Sequence, residues 1–232
     1  MGSTSTSSEF HWEAEAVKAK YILWPVGRAL ARFVPQALFL FAISFIIFRM
    51  IVVLHNIRSL HNAGSIFRTA DAVGIEKIYL CGITPAPIDR FDTPRGQFVK
   101  VSLGAEKNVV WEKVSSAPAL LKKLKKDGYT IFAIEQDKHA VPYYGVKLKG
   151  TFPRESGIAL VLGNEIKGLP SSILRHADKI LEIPMVGKMV RHAAHPKHLR
   201  REIRTKESLN VGVAFGVVVF HLINSRPVTR DL

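Results

Sequence analysis

The chain has a single cysteine, Cys81, which excludes an intramolecular disulfide framework and favours a reducing compartment, cytoplasm or organelle. Cys81 closes an apolar run and reads as a buried structural thiol. Acidic residues are scarce: 19 Asp and Glu stand against 33 Lys and Arg, a formal charge of +14. A surplus of that size serves a polyanion, either nucleic acid or an anionic membrane surface. No strand-like run is followed by G-x-G-x-x-G, which removes a dinucleotide-binding oxidoreductase. His139 and the other histidines show no metal-ligand spacing with cysteine or carboxylate partners, so no metal site is expected. Nor does any uninterrupted apolar run reach the roughly 20 residues of a spanning helix. The longest block, QALFLFAISFIIF at 36–48, breaks at Arg49 and resumes from Met50 to Leu54. It is compatible with a membrane anchor, a targeting segment, or a helix packed on the domain or a partner. Glu9, Glu13 and Glu15 argue against an organellar transit peptide.

What is present is one domain's worth of chain, 50–226, preceded by an unlike N-terminal extension, 1–49. The organising stretch is GIALVLGNEIKGLPSSILRHADKILEIP, Gly157 to Pro184. Ile158 to Leu162 is a short apolar run bounded by glycines, as in a strand covered on both faces. Gly163 lets backbone approach a ligand, and Asn164 and Glu165 set polar atoms at the strand's carboxyl end, where open α/β sheets bind ligands. Ser171 or Ser172 is expected to cap the helix after Pro170, and Ile180 to Ile183 to return to the sheet.

Upstream, Ile51 to Leu54 reads as a core strand leading into a polar loop from His55 to Asn62. A helix follows, with Asn62 expected as its N-cap and Gly74 just past its end. Arg68 and Asp71 lie three apart on it and can form a simple surface pair. Lys77 to Cys81 completes a β-α-β unit. Thr84 to Gly96 is a proline-rich loop. Ala117 to Lys126 is a helix whose Lys122, Lys123, Lys125 and Lys126 form either a solvated face or an RNA contact. Thr130 to Glu135 is a further strand, its end beside the Gly163 loop. The pattern by itself gives a doubly wound parallel sheet.

Three ordered stretches, NIRSLHNAGSIFRTADAVGIEKIYLCGITP, LVLGNEIKGL with EIPMVGK, and KESLNVGVAFGVVVF, resemble the signatures of the SpoU-type (TrmH-like) RNA ribose methyltransferases of the SPOUT superfamily. The resemblance implies a parallel α/β sheet flanked by helices with a C-terminal deep trefoil knot, a homodimer, and S-adenosylmethionine bound in the knot. It implies transfer of a methyl group to a ribose 2′-hydroxyl of tRNA or rRNA. Arg68 resembles the family's essential arginine. A guanidinium grips phosphate in a forked geometry but stays protonated, so its role is electrostatic activation of the hydroxyl rather than proton abstraction. Asn56 is expected to hydrogen-bond that arginine or the ribose, Glu165 to hold a positive partner, and Asn210 to fix substrate or its loop. The alternative for these three is capping or loop bracing. By motif position, cofactor contacts fall at Gly163, Ile183 and Leu209, with Ile134, Met185 and Ser208 beside them.

One departure stands out. In the family pattern glycine-lysine is followed almost at once by K-E-S-L-N, but here 189–205, MVRHAAHPKHLRREIRT, separates Gly187-Lys188 from Lys206. An outward excursion is tolerable because closure cost grows slowly with loop length. An inward one blocks the pocket. The basic tract is thus an RNA-binding extension, a disruption, or an artefact of how the sequence was derived. The rival to the enzyme is a catalytically inactive RNA-binding or membrane-tethered protein of the same fold.

Overall fold

The computed structural model describes residues 49–146, 157–185 and 208–225. The strands are β1 (Met50–His55), β2 (Lys77–Cys81), β3 (Val110–Val114), β4 (Thr130–Ile134), β5 (Val141–Pro142), β6 (Ile158–Leu162) and β7 (Lys179–Glu182). They form one sheet in the order β3-β2-β1-β6-β4-β7-β5, with every pairing parallel. The most apolar runs, MIVVL of β1 and IALVL of β6, are buried throughout and lie side by side at the centre. A parallel strand covered on both faces needs that uniformity.

Helices cover both faces. Ile51, Val53, Ile131, Ala133, Ala159 and Val161 pack with Leu120, Leu121 and Leu124 of α4 (Ala117–Lys126) and Ile173 of α5 (Ser171–Leu174). Strand alternation turns Val52, Leu54 and Leu160 to the opposite face. That face is left to α1 (Leu60–Val73), α2 (Gly96–Ser102), α3 (Ala105–Asn108) and α6 (Val211–Asn224), with α1 packing on the other three. Phe67 and Phe98 meet edge to face at 5.1 Å where α1 crosses α2. On α4 the leucines turn inward and the lysines outward, and Lys125 pairs with Asp178 at 2.8 Å.

The expected caps need correction. Ser59, not Asn62, caps α1, its hydroxyl accepting from the Asn62 N–H at 3.2 Å. Asn62 is therefore inside the first turn with its side chain free for other work. Gly74 closes α1 as expected, at φ 71° with its N–H on the Ala70 and Asp71 carbonyls. Neither Ser171 nor Ser172 caps α5: Pro170 holds the cap position without a side-chain bond, and Ser171 is already helical. The last helix begins at Val211, so Ser208 and Leu209 precede it.

Cys81 is fully buried, and burial pushes its thiol pKa up to about 11. Among the described residues no helix is long and apolar enough to cross a membrane. The N-terminal extension through residue 48, including 36–48, lies outside the described residues. So do the 189–205 insert and the whole path 186–207 on which a knot depends.

Thr84 ties the end of β1 to the end of β2. It is fully buried, accepts from the Ile57 N–H at 3.1 Å, and its hydroxyl lies 2.9 Å from the Leu54 and Cys81 carbonyls. Thr84→Val keeps the shape but orphans the Ile57 N–H, so unfolding free energy in urea should fall by about 1–3 kcal/mol. An unchanged unfolding midpoint would mean that the amide finds another partner.

Candidate active site

Adjacent parallel strands β1 and β6 send the chain to opposite sides, β1 towards β2 and β6 towards β7. Such a divergence opens a crevice at the carboxyl edge. The loop after β6 fills part of it and is tightly braced. A Cβ on Gly163 would stand 2.7 Å from the backbone of Gly168 and Leu169, so only glycine lets the loop fold back on itself. Asn164 Oδ1 accepts the Ile166 and Lys167 N–H groups, each at 3.0 Å, and Asn164 Nδ2 donates to the Asn56 carbonyl at 2.8 Å. Gly168 turns the loop at φ 64°, and the next N–H, of Leu169, donates to Glu135 Oε2 at 2.6 Å.

Glu165 leaves this loop for the N-terminus of α1. Its carboxylate accepts from the Arg58 N–H at 3.0 Å, the Ser59 N–H at 3.2 Å and Asn62 Nδ2 at 2.9 Å. The expected cationic partner is not what it holds. It neutralises a helix terminus whose own first turn has no acidic residue. Burial pushes the Glu165 pKa up, but the hydrogen bonds, those of Arg58 and Asn62 foremost, outweigh it and the net pKa lies below the usual 4.5.

A carboxylate only accepts, so the Asn62 amide must present Nδ2 to Glu165 and Oδ1 to its next neighbour. That neighbour is Asn210 Nδ2, at 2.9 Å. Asn210 Oδ1 in turn caps α6 by accepting from the Gly212 and Val213 N–H groups at 2.9 and 3.3 Å. One relay, Glu165–Asn62–Asn210, thus joins the β6 loop, α1 and α6. Sequence reading missed Asn62 by assigning it the cap. The available signal was Ser59, an equally good cap three residues earlier, which if used leaves Asn62 for another role.

Beside the relay lies a cleft of ≈ 320 Å³. Its lining includes all six expected cofactor residues, Ile134, Gly163, Ile183, Met185, Ser208 and Leu209, drawn from four separate segments. Glu165 lines it too, with Glu135, Glu182 and Lys167. Among the described residues three carboxylates against one lysine line it, an acidic set in a chain of charge +14. Ile166, Met185 and Leu209 stay 54%, 40% and 40% exposed, leaving apolar surface for a ligand.

Of the four expected catalytic residues only Glu165 is in the lining; Asn210 meets it through the relay, and Asn56 and Arg68 lie outside both. Asn56 sits at φ 58°, accepts the Ile83 N–H on Oδ1 at 3.1 Å and meets His55 Nε2 through Nδ2 at 3.0 Å. These bonds brace the loop, and no Arg68 contact is among them. Burial holds the His55 pKa below the ordinary value, keeping a neutral ring to accept from Asn56. Arg68 is exposed on α1 and makes no hydrogen bond or ion pair among the described residues. Asp71, its supposed surface partner, accepts from Asn108 Nδ2 instead, at 3.1 Å.

A parallel α/β sheet helical on both faces, with a braced acidic cleft at its carboxyl edge, defines a ligand-binding protein of the open-sheet class. The model of the SpoU rRNA Methylase family matches residues 49–191, more than half of the chain, and the chain belongs to that family. It is 28% identical over 177 residues to the 23S rRNA (guanosine-2′-O-)-methyltransferase RlmB of Xanthomonas axonopodis pv. citri, covering 76% of this chain and 59% of that protein. The chain therefore spans only about three-fifths of such relatives. The crystal structure of the Aquifex aeolicus TrmH/SpoU tRNA modifying enzyme superposes with TM-score 0.58 at 28% identity, covering 79% of each chain. An AdoMet-bound rRNA methyltransferase from Sinorhizobium meliloti shares the fold, with TM-score 0.58 at 24% identity over 77% of this chain and 58% of the other.

The depressed Glu165 pKa fixes a pH signature. A carboxylate whose folded pKa lies below its unfolded one stabilises the fold above about pH 4.5, and that contribution is lost as pH falls through the folded value. Glu165→Gln should be less stable than wild type at neutral pH, with the gap closing below pH 4.5. A gap that is constant with pH in thermal unfolding would remove the ionised carboxylate from the relay.

Proposed function

We propose that the chain is an S-adenosylmethionine-dependent RNA 2′-O-methyltransferase acting on tRNA or rRNA as a homodimer. The observation that carries the reading is the cleft, where six residues expected from motif position meet beside three carboxylates. The donor set suits the cofactor. Ile134, Ile183, Met185 and Leu209 offer apolar walls for a purine, Gly163 admits close backbone approach, and the carboxylates favour a ligand bearing a sulfonium and an ammonium. When bound there, the cofactor supplies an electrophilic methyl group.

The chain's own residues do the rest. Glu165, Asn62 and Asn210 hold the loop and two helices in register, so the cleft keeps its shape without the ligand. Arg68, a guanidinium with no partner among the described residues, is free to bind an RNA phosphate in bidentate fashion. Gripping the phosphate next to the target ribose orients the hydroxyl and lowers the cost of the developing alkoxide. The proton leaves through phosphate or water, because arginine does not act as a base at accessible pH.

The outer face of α6 supports the dimer. Val213 and Phe220, seven residues apart, are 53% and 48% exposed, and a Cβ on Gly216 between them would meet nothing within 4 Å. An apolar stripe on so buried a helix fits a second copy of the chain. Phe220→Asp should shift sedimentation from dimer to monomer at micromolar concentration. Monomeric wild type under the same conditions would dismiss the stripe as an interface.

Arg68→Ala should abolish methyl transfer to RNA while leaving cofactor affinity within about threefold, a change below 1 kcal/mol. Calorimetric titration of S-adenosylmethionine into wild type and variant checks both parts. Equal loss of binding and transfer would exclude the phosphate role. A folded wild type that binds no cofactor would favour the inactive RNA-binding protein instead.

A further inference from the structure

The loop Gly82–Arg95, between β2 and α2, belongs neither to the cleft nor to the relay. It combines a fixed backbone with exposed apolar side chains. Three prolines, Pro85, Pro87 and Pro94, restrict it from within. Across its neck the Asp89 N–H donates to the Thr93 carbonyl at 2.9 Å, the Arg95 N–H to the Pro87 carbonyl at 2.8 Å, and Arg95 Nε to the Ile88 carbonyl at 3.2 Å. Asp89 Oδ1 accepts the Phe91 and Thr93 N–H groups at 2.8 and 3.0 Å. At its base Lys113 Nζ donates to the Gly82 carbonyl at 2.8 Å and to that of Thr84, while Asn56 holds the Ile83 N–H. On this scaffold Phe91 stands 70% exposed and Ile83 65% exposed.

The Arg90 guanidinium carbon lies over the Phe91 ring, 4.6 Å from its centroid. Neither Arg90 nor Arg95 forms an ion pair among the described residues. The Asp89 carboxylate is turned to backbone N–H groups, and Arg95, within electrostatic reach of it, is tied to the loop neck through Nε only. The loop leaves β2 at the same edge of the parallel sheet as the cleft. Asn56 links the two, holding Ile83 through its side chain and accepting from Asn164 of the β6 loop through its carbonyl.

We propose that this loop is a stacking platform for single-stranded RNA, with Phe91 receiving the face of one unpaired base and Arg90 and Arg95 binding the adjoining phosphates. The inference rests on the RNA substrate proposed above. An aromatic ring backed by a guanidinium is the surface on which unpaired bases stack, irrespective of sequence. Duplex RNA hides its base faces and so gains nothing from the ring. A backbone already fixed loses little entropy on binding, which is why such exposed side chains are held rather than left on a flexible tip.

The test uses the full chain and a fluorescently labelled short oligouridylate, with the same oligomer paired to oligoadenylate as the duplex control. Anisotropy titrations should give Phe91→Ala an affinity on the order of tenfold weaker for the single strand and unchanged for the duplex. Phe91→Trp should restore it, and both variants should bind S-adenosylmethionine as wild type does. Wild type and Phe91→Ala binding the single strand equally would overturn the platform while leaving the methyltransferase reading intact. A Phe91→Ala that changes the sedimenting mass and not RNA affinity would assign the loop to a contact between copies of the chain and overturn it too. A wild type that binds the cofactor and no RNA of either form would overturn both readings.

Discussion

The Glu165 carboxylate, set against the N-terminus of α1, is the interaction on which the site depends. Burial opposes its ionisation, and three N–H donors from α1 and its entry overcome that opposition. The helix gains the negative charge its own first turn lacks, and the β6 loop gains an anchor over a hundred residues away in sequence. The same contact fixes the polarity of the Asn62 and Asn210 amides. Remove the charge and three elements lose their common reference, even though none of their cores is touched.

That contact exists because the sheet brings two strand ends level. In the β1–β6 register Leu54 stands opposite Leu162, so the residues that follow each strand emerge side by side. Asn164 reaches the Asn56 carbonyl and Glu165 the Arg58 and Ser59 N–H groups as a direct result. Buried apolar strands set the register, because a shift of parallel neighbours would move whole side chains out of their layers. Hydrophobic burial thus determines where the polar relay can form, and the relay determines the shape of the cleft.

The periodic elements were readable in the sequence. The strands Lys77–Cys81 and Ile158–Leu162 and the helix Ala117–Lys126 lie where apolar patterning placed them. Local signals do not rank competing caps, and so Ser59 displaced Asn62. Patterning could not foresee long-range polar pairing either: Glu165 accepts from the Arg58 and Ser59 N–H groups and the Asn62 amide, and Asn56 holds the Ile83 N–H. The six residues that converge on the cleft came from resemblance to a family, since no periodicity relates Ile134, Ile183 and Leu209. The basic insert, which raised the doubt about that cleft, lies outside the described residues.

Charge separates the two partners this site is proposed to take. A cationic cofactor is drawn to the acidic cleft, while a polyanion is repelled from it and held by the surplus of arginine and lysine elsewhere. Arg68 lies between these regimes: on α1, whose N-terminus Glu165 holds, yet outside the cleft lining and unpaired among the described residues. Had it paired with Asp71, its charge would have been spent within the fold. Asn108 takes that carboxylate instead, and the guanidinium is left without a partner among the described residues. A cleft of the opposite sign would have drawn RNA phosphate into the place of the cofactor. On the proposed reading, the acidic lining orders the two ligands as well as binding one of them.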